Sequence, residues 1–213
     1  MPTDRPVMAP LLCRDCEHKL TEHGEDYTMS VINRFDTFRL LEIINSAKRY
    51  RQERDERAYF GADLPVNRDA LAYFALSVIW RGAVKVWTKH GGNHTGGLRL
   101  DKQDQEGIRQ YLLGDEPFPS RAAVKVTVAT DFGSQNSALY PWQHQDLPSF
   151  KTFQFYTLGV FFEIAVGQVS HAVRNQCCIR SPYKLIFSGN CENASTDVLG
   201  GFMQTAKIAR KLK

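Results

Sequence analysis

No run of apolar residues in this chain is long enough to cross a bilayer. The longest, Ala70 to Trp80, stops at Arg81, well short of the ~20 residues a spanning helix needs, so no membrane is expected among its partners. A secretory leader is not expected either: Met1 to Pro10 holds Asp4, Arg5 and three prolines where an apolar stretch would sit. The five cysteines are an odd number and fit no simple disulfide framework. The expectation is a reducing, cytoplasmic setting with free or metal-bound thiols. The glycine-rich phosphate loop ending in Gly-Lys-Ser/Thr is absent, and Ser77, Ser134, Ser170 and Ser181 lack the surroundings of a nucleophile elbow. There is no internal repeat and no low-complexity stretch.

A surplus of charge is also missing from most of the chain. The net +4 equals the contribution of Lys207, Arg210, Lys211 and Lys213, so residues 1–206 are formally neutral. A broad nucleic-acid-binding face is therefore not indicated by charge, although Lys207, Arg210 and Lys211 are candidates for phosphate contact. With 43% hydrophobic, 23% charged and 11% aromatic residues, the composition is that of a folded protein rather than a disordered one.

The chain reads as α+β: an N-terminal helical part with a central buried helix, then an antiparallel sheet and a C-terminal helix. Helices are expected at about Arg14–Glu22, ended by Gly24, at Phe35–Arg51, and at Arg68–Trp87, capped by Asn67. The third is apolar on every side, which marks a buried helix, and Arg81 within it should have a carboxylate or carbonyl partner. The mixed-charge run from Lys48 to Arg57 reads as a solvated helical face, because its signs alternate and largely cancel. Asp101 should cap a helix through Leu113, with Gly114 terminating it. Val124–Val128 alternates as a strand with one buried face, and Phe153–Leu158, Val160–Val169 and Tyr183–Phe187 read as further strands. A final helix is expected over about Asp197–Leu212. Two units follow: a CxxC knuckle lobe over 1–30 and one α+β domain over 31–213.

The candidate chemistry sits in Leu12-Cys13-Arg14-Asp15-Cys16-Glu17, a CxxC knuckle with no second knuckle after it. Cys13 and Cys16 could grip one Zn²⁺, but a closed structural site needs four ligands. His18, Cys178 and Cys191 are the candidates for the remainder, with Cys177 and Cys178 facing opposite ways if they share a strand. Structural zinc, plain thiols and redox chemistry all stay open for the pair. His90 and His94, four apart in a glycine-rich segment, read as a surface loop. Tyr140, Trp142 and Phe150, with His144 between them, read as packing under a long connection. No spacing pairs the carboxylates, and the catalytic residues are unassigned.

Leu11 to Glu17 with Leu20 and Glu25-Asp26-Tyr27, the stretch Phe74 to Arg81, and Ile108 to Leu113 together resemble a family of bacterial and phage proteins of unassigned activity. The resemblance covers about residues 10–130. It implies an N-terminal treble-clef zinc finger of the HNH type, a structural zinc, and a phage- or defence-associated role. Cys13 and Cys16 match the second knuckle of that finger; the first knuckle and the histidine that serves HNH nucleases as general base have no counterpart here. The implied function is that of a degenerate relative that binds nucleic acid or a protein partner. Two alternatives are a metal-dependent nuclease whose catalytic segment lies upstream of an incorrect start, and a purely structural or interaction protein.

Overall fold

The segment after Asn67 has no polar face to offer water, and from Ala70 to Ser77 it is buried against other helices and one face of a sheet. A computed structural model describes residues 12–34, 37–53, 56–84, 87–88, 94–95, 97–131, 135, 138–181 and 184–191. Three short helices come first: α1 (Arg14–Leu20), α2 (Asp26–Val31) and α3 (Arg39–Ser46). The hairpin β1 (Arg51–Glu53) and β2 (Glu56–Phe60) leads to the long helix α4 (Arg68–Val84). Then come β3 (Trp87–Thr88), β4 (His94–Thr95) and α5 (Lys102–Leu113). The strands β5 (Ala122–Ala129), β6 (Ala138–Asp146), β7 (Phe150–Thr157) and β8 (Val160–Gly167) follow. Last among the described elements are α6 (His171–Cys177) and β9 (Leu185–Gly189). The fold is α+β, with helices leading into a large sheet.

Helix α4 begins where the Ala70 N–H donates to Asn67 Oδ1 at 3.0 Å, satisfying one of the unpaired donors of its first turn. Leu71, Phe74, Leu76 and Ile79 are all buried, each contributing about 1.5–3 kcal/mol relative to exposure. Arg81 has the expected partner: its Nη2 donates to Glu25 Oε1 at 2.5 Å. The helix is described through Val84, and Trp87–Thr88 pairs with His94–Thr95 rather than continuing it.

Gly24 does not end a helix. Between α1 and α2 the chain continues through one π-helical turn, Thr21–Glu25. A Cβ on Gly24 would lie 2.9 Å from both the Phe74 backbone nitrogen and the Tyr73 ring, so the glycine is there for close approach to α4. Gly24→Ala is expected to destabilise the fold by about 1–2 kcal/mol through overpacking. A chemical-denaturation midpoint unchanged by the substitution would refute that account.

Among the described residues, seven strands form one sheet in the order β1-β2-β9-β5-β8-β7-β6. The sheet is mixed, not antiparallel throughout, because β9 runs parallel to β5. Parallel neighbours need a crossover where antiparallel ones need only a hairpin, and α6 lies in the connection from β8. One face packs Val124, Val126, Phe153, Phe155, Phe162 and Ile164 against the helices around α4. The other buries Ala123, Ala129, Phe161, Ala165 and Phe187 with Val173 of α6. All of β5 is therefore buried, and the alternation that suggested one buried face marks two.

Two further expectations fail for physical reasons. The charged run 48–57 is not a helical face: α3 ends at Ser46, and the run forms the β1–β2 hairpin at the sheet edge. Ala58 and Tyr59 are buried there, and Tyr50 packs on Phe60 with ring centroids 3.9 Å apart. The Tyr140–Trp142 stretch is not a covered connection but the other edge strand, β6, with Tyr140 84% and Leu139 56% exposed. Pro141 and two register shifts against β7 interrupt this edge, and such features block pairing with another strand. The helix expected over Asp197–Leu212 lies outside the described residues.

Candidate functional site

The knuckle is placed plainly. Cys13 is the residue before α1, exposed, and Cys16 is half-buried in the first turn. The backbone N–H of Cys16 and its thiol hold the Cys13 thiol below its ordinary range, although the N–H falls short of capping geometry. Cys16 is shifted the opposite way, first by its hydrogen bond with Cys13 and then by burial. His18 faces solvent and pairs with Glu22 at 3.1 Å.

The other candidate ligands are elsewhere. Cys178 and Cys191 belong to the apolar cluster around α6. Burial raises the Cys178 thiol, and burial followed by the Asp131 charge pushes Cys191 up to about 12, so both are inert thiols. Among the described residues, no group of three or more His, Cys, Asp or Glu side chains could hold a metal ion. That finding overturns the structural zinc, the zinc-finger and metal-binding reading, and the HNH-family assignment that rested on it. Lys207, Arg210, Lys211 and His90 lie outside the described residues, while His94 lies in β4.

Two sites that sequence reading missed emerge from the packing. The first is a cleft of about 300 Å³ between α5, the segment 116–121 and the adjoining ends of β5 and β8. Helix α5 ends where Gly114 turns left-handed at φ 85°, as the sequence suggested, but Asp101 at its start makes no side-chain cap and instead accepts from Lys151 Nζ at 2.7 Å. In its first turn Asp104, 5% exposed, accepts from Arg121 Nε at 2.6 Å and Nη2 at 3.2 Å. This two-point pair anchors the segment on the far side of the cleft to the helix. Phe118 on that segment packs edge-on to Tyr111, with the Arg180 guanidinium 5.5 Å from its ring centroid.

Gly107 lies in the middle of α5 and lines the same cleft. A glycine inside a helix costs about 0.5–1 kcal/mol relative to alanine. A Cβ here would meet nothing within 4 Å, so the chain's own packing gives no reason for it. The signal was visible: a glycine inside an otherwise helical pattern marks either close packing or function. What the sequence hid was the pairing of Asp104 with Arg121.

The second site is a polar row on the sheet face shared with α6. Gln154 sits opposite Glu163, and Glu163 opposite Lys125, on adjacent strands. Lys125 Nζ lies 2.6 Å from Glu56 Oε1 and 3.4 Å from Glu163 Oε2, and 4.7 Å from the centroid of the Phe187 ring. Burial pushes the Glu163 carboxyl up to about 7; Lys125 opposes the shift and Glu56 adds to it. The Gln154 amide and the hydroxyls of Thr127 and Thr152 have no hydrogen-bond partner among the described residues. Glu163 and Gln154 are each 1% exposed, so a substrate has no direct approach to them and the row acts on stability.

Among the described residues no helix is long and apolar enough to cross a membrane. No protein-family model, no curated protein and no solved structure matches the chain.

Proposed function

We propose that this protein works by binding a protein partner, and that the cleft beside α5 receives a side chain of that partner. The observation that carries the reading is Gly107, a helix-interior glycine kept over open space. A backbone left bare in this way lets a bound group come closer than any side chain would allow. The cleft is at the small end of ligand pockets, combining an apolar wall that includes Ile108, Phe118 and Val166 with a few polar groups.

The charge of the lining favours protein over nucleic acid. Arg121 is matched by Asp104, which leaves Glu116 as an uncompensated acid. A phosphate would be repelled, while a basic or neutral side chain would be accepted.

The test is an amide chemical-shift titration of the full chain with two probes. One is a capped tripeptide with arginine at its centre, the other a short single-stranded DNA. The expected result is movement of the Gly107 and Ser120 amides with the peptide alone. Gly107→Ala is expected to raise stability by about 0.5–1 kcal/mol while weakening the peptide. Peptide binding unchanged by that substitution, or shifts confined to other surfaces, would overturn the reading. DNA-induced shifts in the tail would instead support phosphate contact by Lys207, Arg210 and Lys211.

A further inference from the structure

Four thiols are described, and they divide into two kinds. Cys178 and Cys191 are buried, whereas Cys13 and Cys16 reach solvent, three residues apart around the start of α1. That spacing brings two side chains onto one side of a helical turn, within the reach a disulfide requires. The two thiols hydrogen-bond to each other, and Cys16 lines a small apolar nook of about 30 Å³ together with Leu12, Lys19, Trp80, Arg109 and Leu112.

We propose that Cys13 and Cys16 form a reversible dithiol–disulfide couple that exchanges with the disulfide of a peptide-like partner, Cys13 attacking and Cys16 resolving. The inference does not depend on the cleft beside α5. The Cys13 thiolate attacks one sulfur of the partner's disulfide; that bond breaks, a mixed disulfide forms, and the other partner sulfur leaves as a thiolate that takes a proton from water. Cys16 then gives its proton to solvent and attacks the Cys13 sulfur. The Cys13–Cys16 bond forms, the mixed disulfide breaks, and the second partner sulfur leaves as a thiolate and is protonated. Two electrons pass from the dithiol to the partner, and excess thiol reverses both steps. The assignment of roles follows exposure: Cys13 is open to an incoming sulfur, and Cys16 is half-covered.

The test uses the full chain in glutathione buffers of graded redox ratio, quenched with acid, alkylated and mapped by mass spectrometry. The expected result is a two-electron transition to an internal Cys13–Cys16 disulfide, with Cys178 and Cys191 blocked only after unfolding. Cys16→Ser should trap glutathione on Cys13, while Cys13→Ser should slow capture by Cys16 on the order of tenfold. Two arms separate the partner's source. Faster exchange with glutathione disulfide assigns a small disulfide, and faster reduction of insulin assigns a protein one. Exchange with neither beyond the rate of free cysteine, or no internal disulfide under oxidising buffer, would overturn the proposal. So would equal capture of glutathione by the two single variants.

Discussion

Alanine at Phe162 is expected to cost the fold about 3–5 kcal/mol, the range for emptying a fully buried aromatic site. Phe162 has no exposed surface. Its ring stacks on Phe155 with centroids 4.7 Å apart and planes 10° from parallel, and Phe74 of α4 meets it edge-on at 5.7 Å. The side chain therefore joins the sheet to the helix it supports, and a methyl group in its place leaves a void that strands on both sides cannot close. Leucine should recover a large part of the loss, since it restores volume but not the ring contacts. Urea unfolding of the two variants would check this. A loss below about 1.5 kcal/mol for alanine would mean that α4 settles onto the sheet and fills the gap.

Glutamine at Glu163 is expected to remove a fall in stability that the natural chain shows as pH rises. An unfolded carboxylate titrates near its ordinary 4.5, and the folded Glu163 near 7. Between those values the folded chain holds a proton that the unfolded chain has released. Stability is thus greatest below the lower value, falls as pH rises through the window, and is lowest above about 7. The full difference is about 3 kcal/mol at most. Glu163→Gln removes the titrating group and leaves Lys125 its closer partner, Glu56. The variant should match the natural chain at about pH 5 and exceed it by about 1–3 kcal/mol at about pH 8. Denaturant midpoints at the two values decide the matter. A variant less stable at the higher pH would show that the Lys125–Glu163 attraction outweighs the burial of the charge.

The parts of this fold that could be read in advance are those set by neighbouring residues. Asn67 before an apolar stretch and Gly114 after Leu113 announced helix ends that local geometry enforces. Val124 to Val128 announced a strand through its alternation. The misreadings came where distant residues decide. The charged segment 51–60 becomes a hairpin because β9, more than a hundred residues later, gives β2 a partner. Strand β6 was hidden by Pro141, which discourages pairing on one side only and is tolerated at an edge. The cleft depends on Asp104 meeting Arg121, a pairing that no periodicity announces, although Gly107 was in plain view. Cys13 and Cys16 were legible as a motif, yet not their separation from Cys178 and Cys191, which fold into the apolar cluster around α6.

The position of β9 also bears on how the chain assembles as it is made. The β1–β2 hairpin joins the sheet through β9 alone, and β9 slots between β2 and β5. A ribosome-bound chain that has emerged only through β8 holds a hairpin with no partner and an open edge on β5. A nascent chain stopped there would carry unpaired edges prone to self-association. Late arrival of the strand that unites the sheet also gives the fold a high share of long-range contacts, which slows folding. Supplying residues 185–191 as a separate peptide to a chain truncated ahead of them would complement the missing strand, much as donor strands complete other sheets.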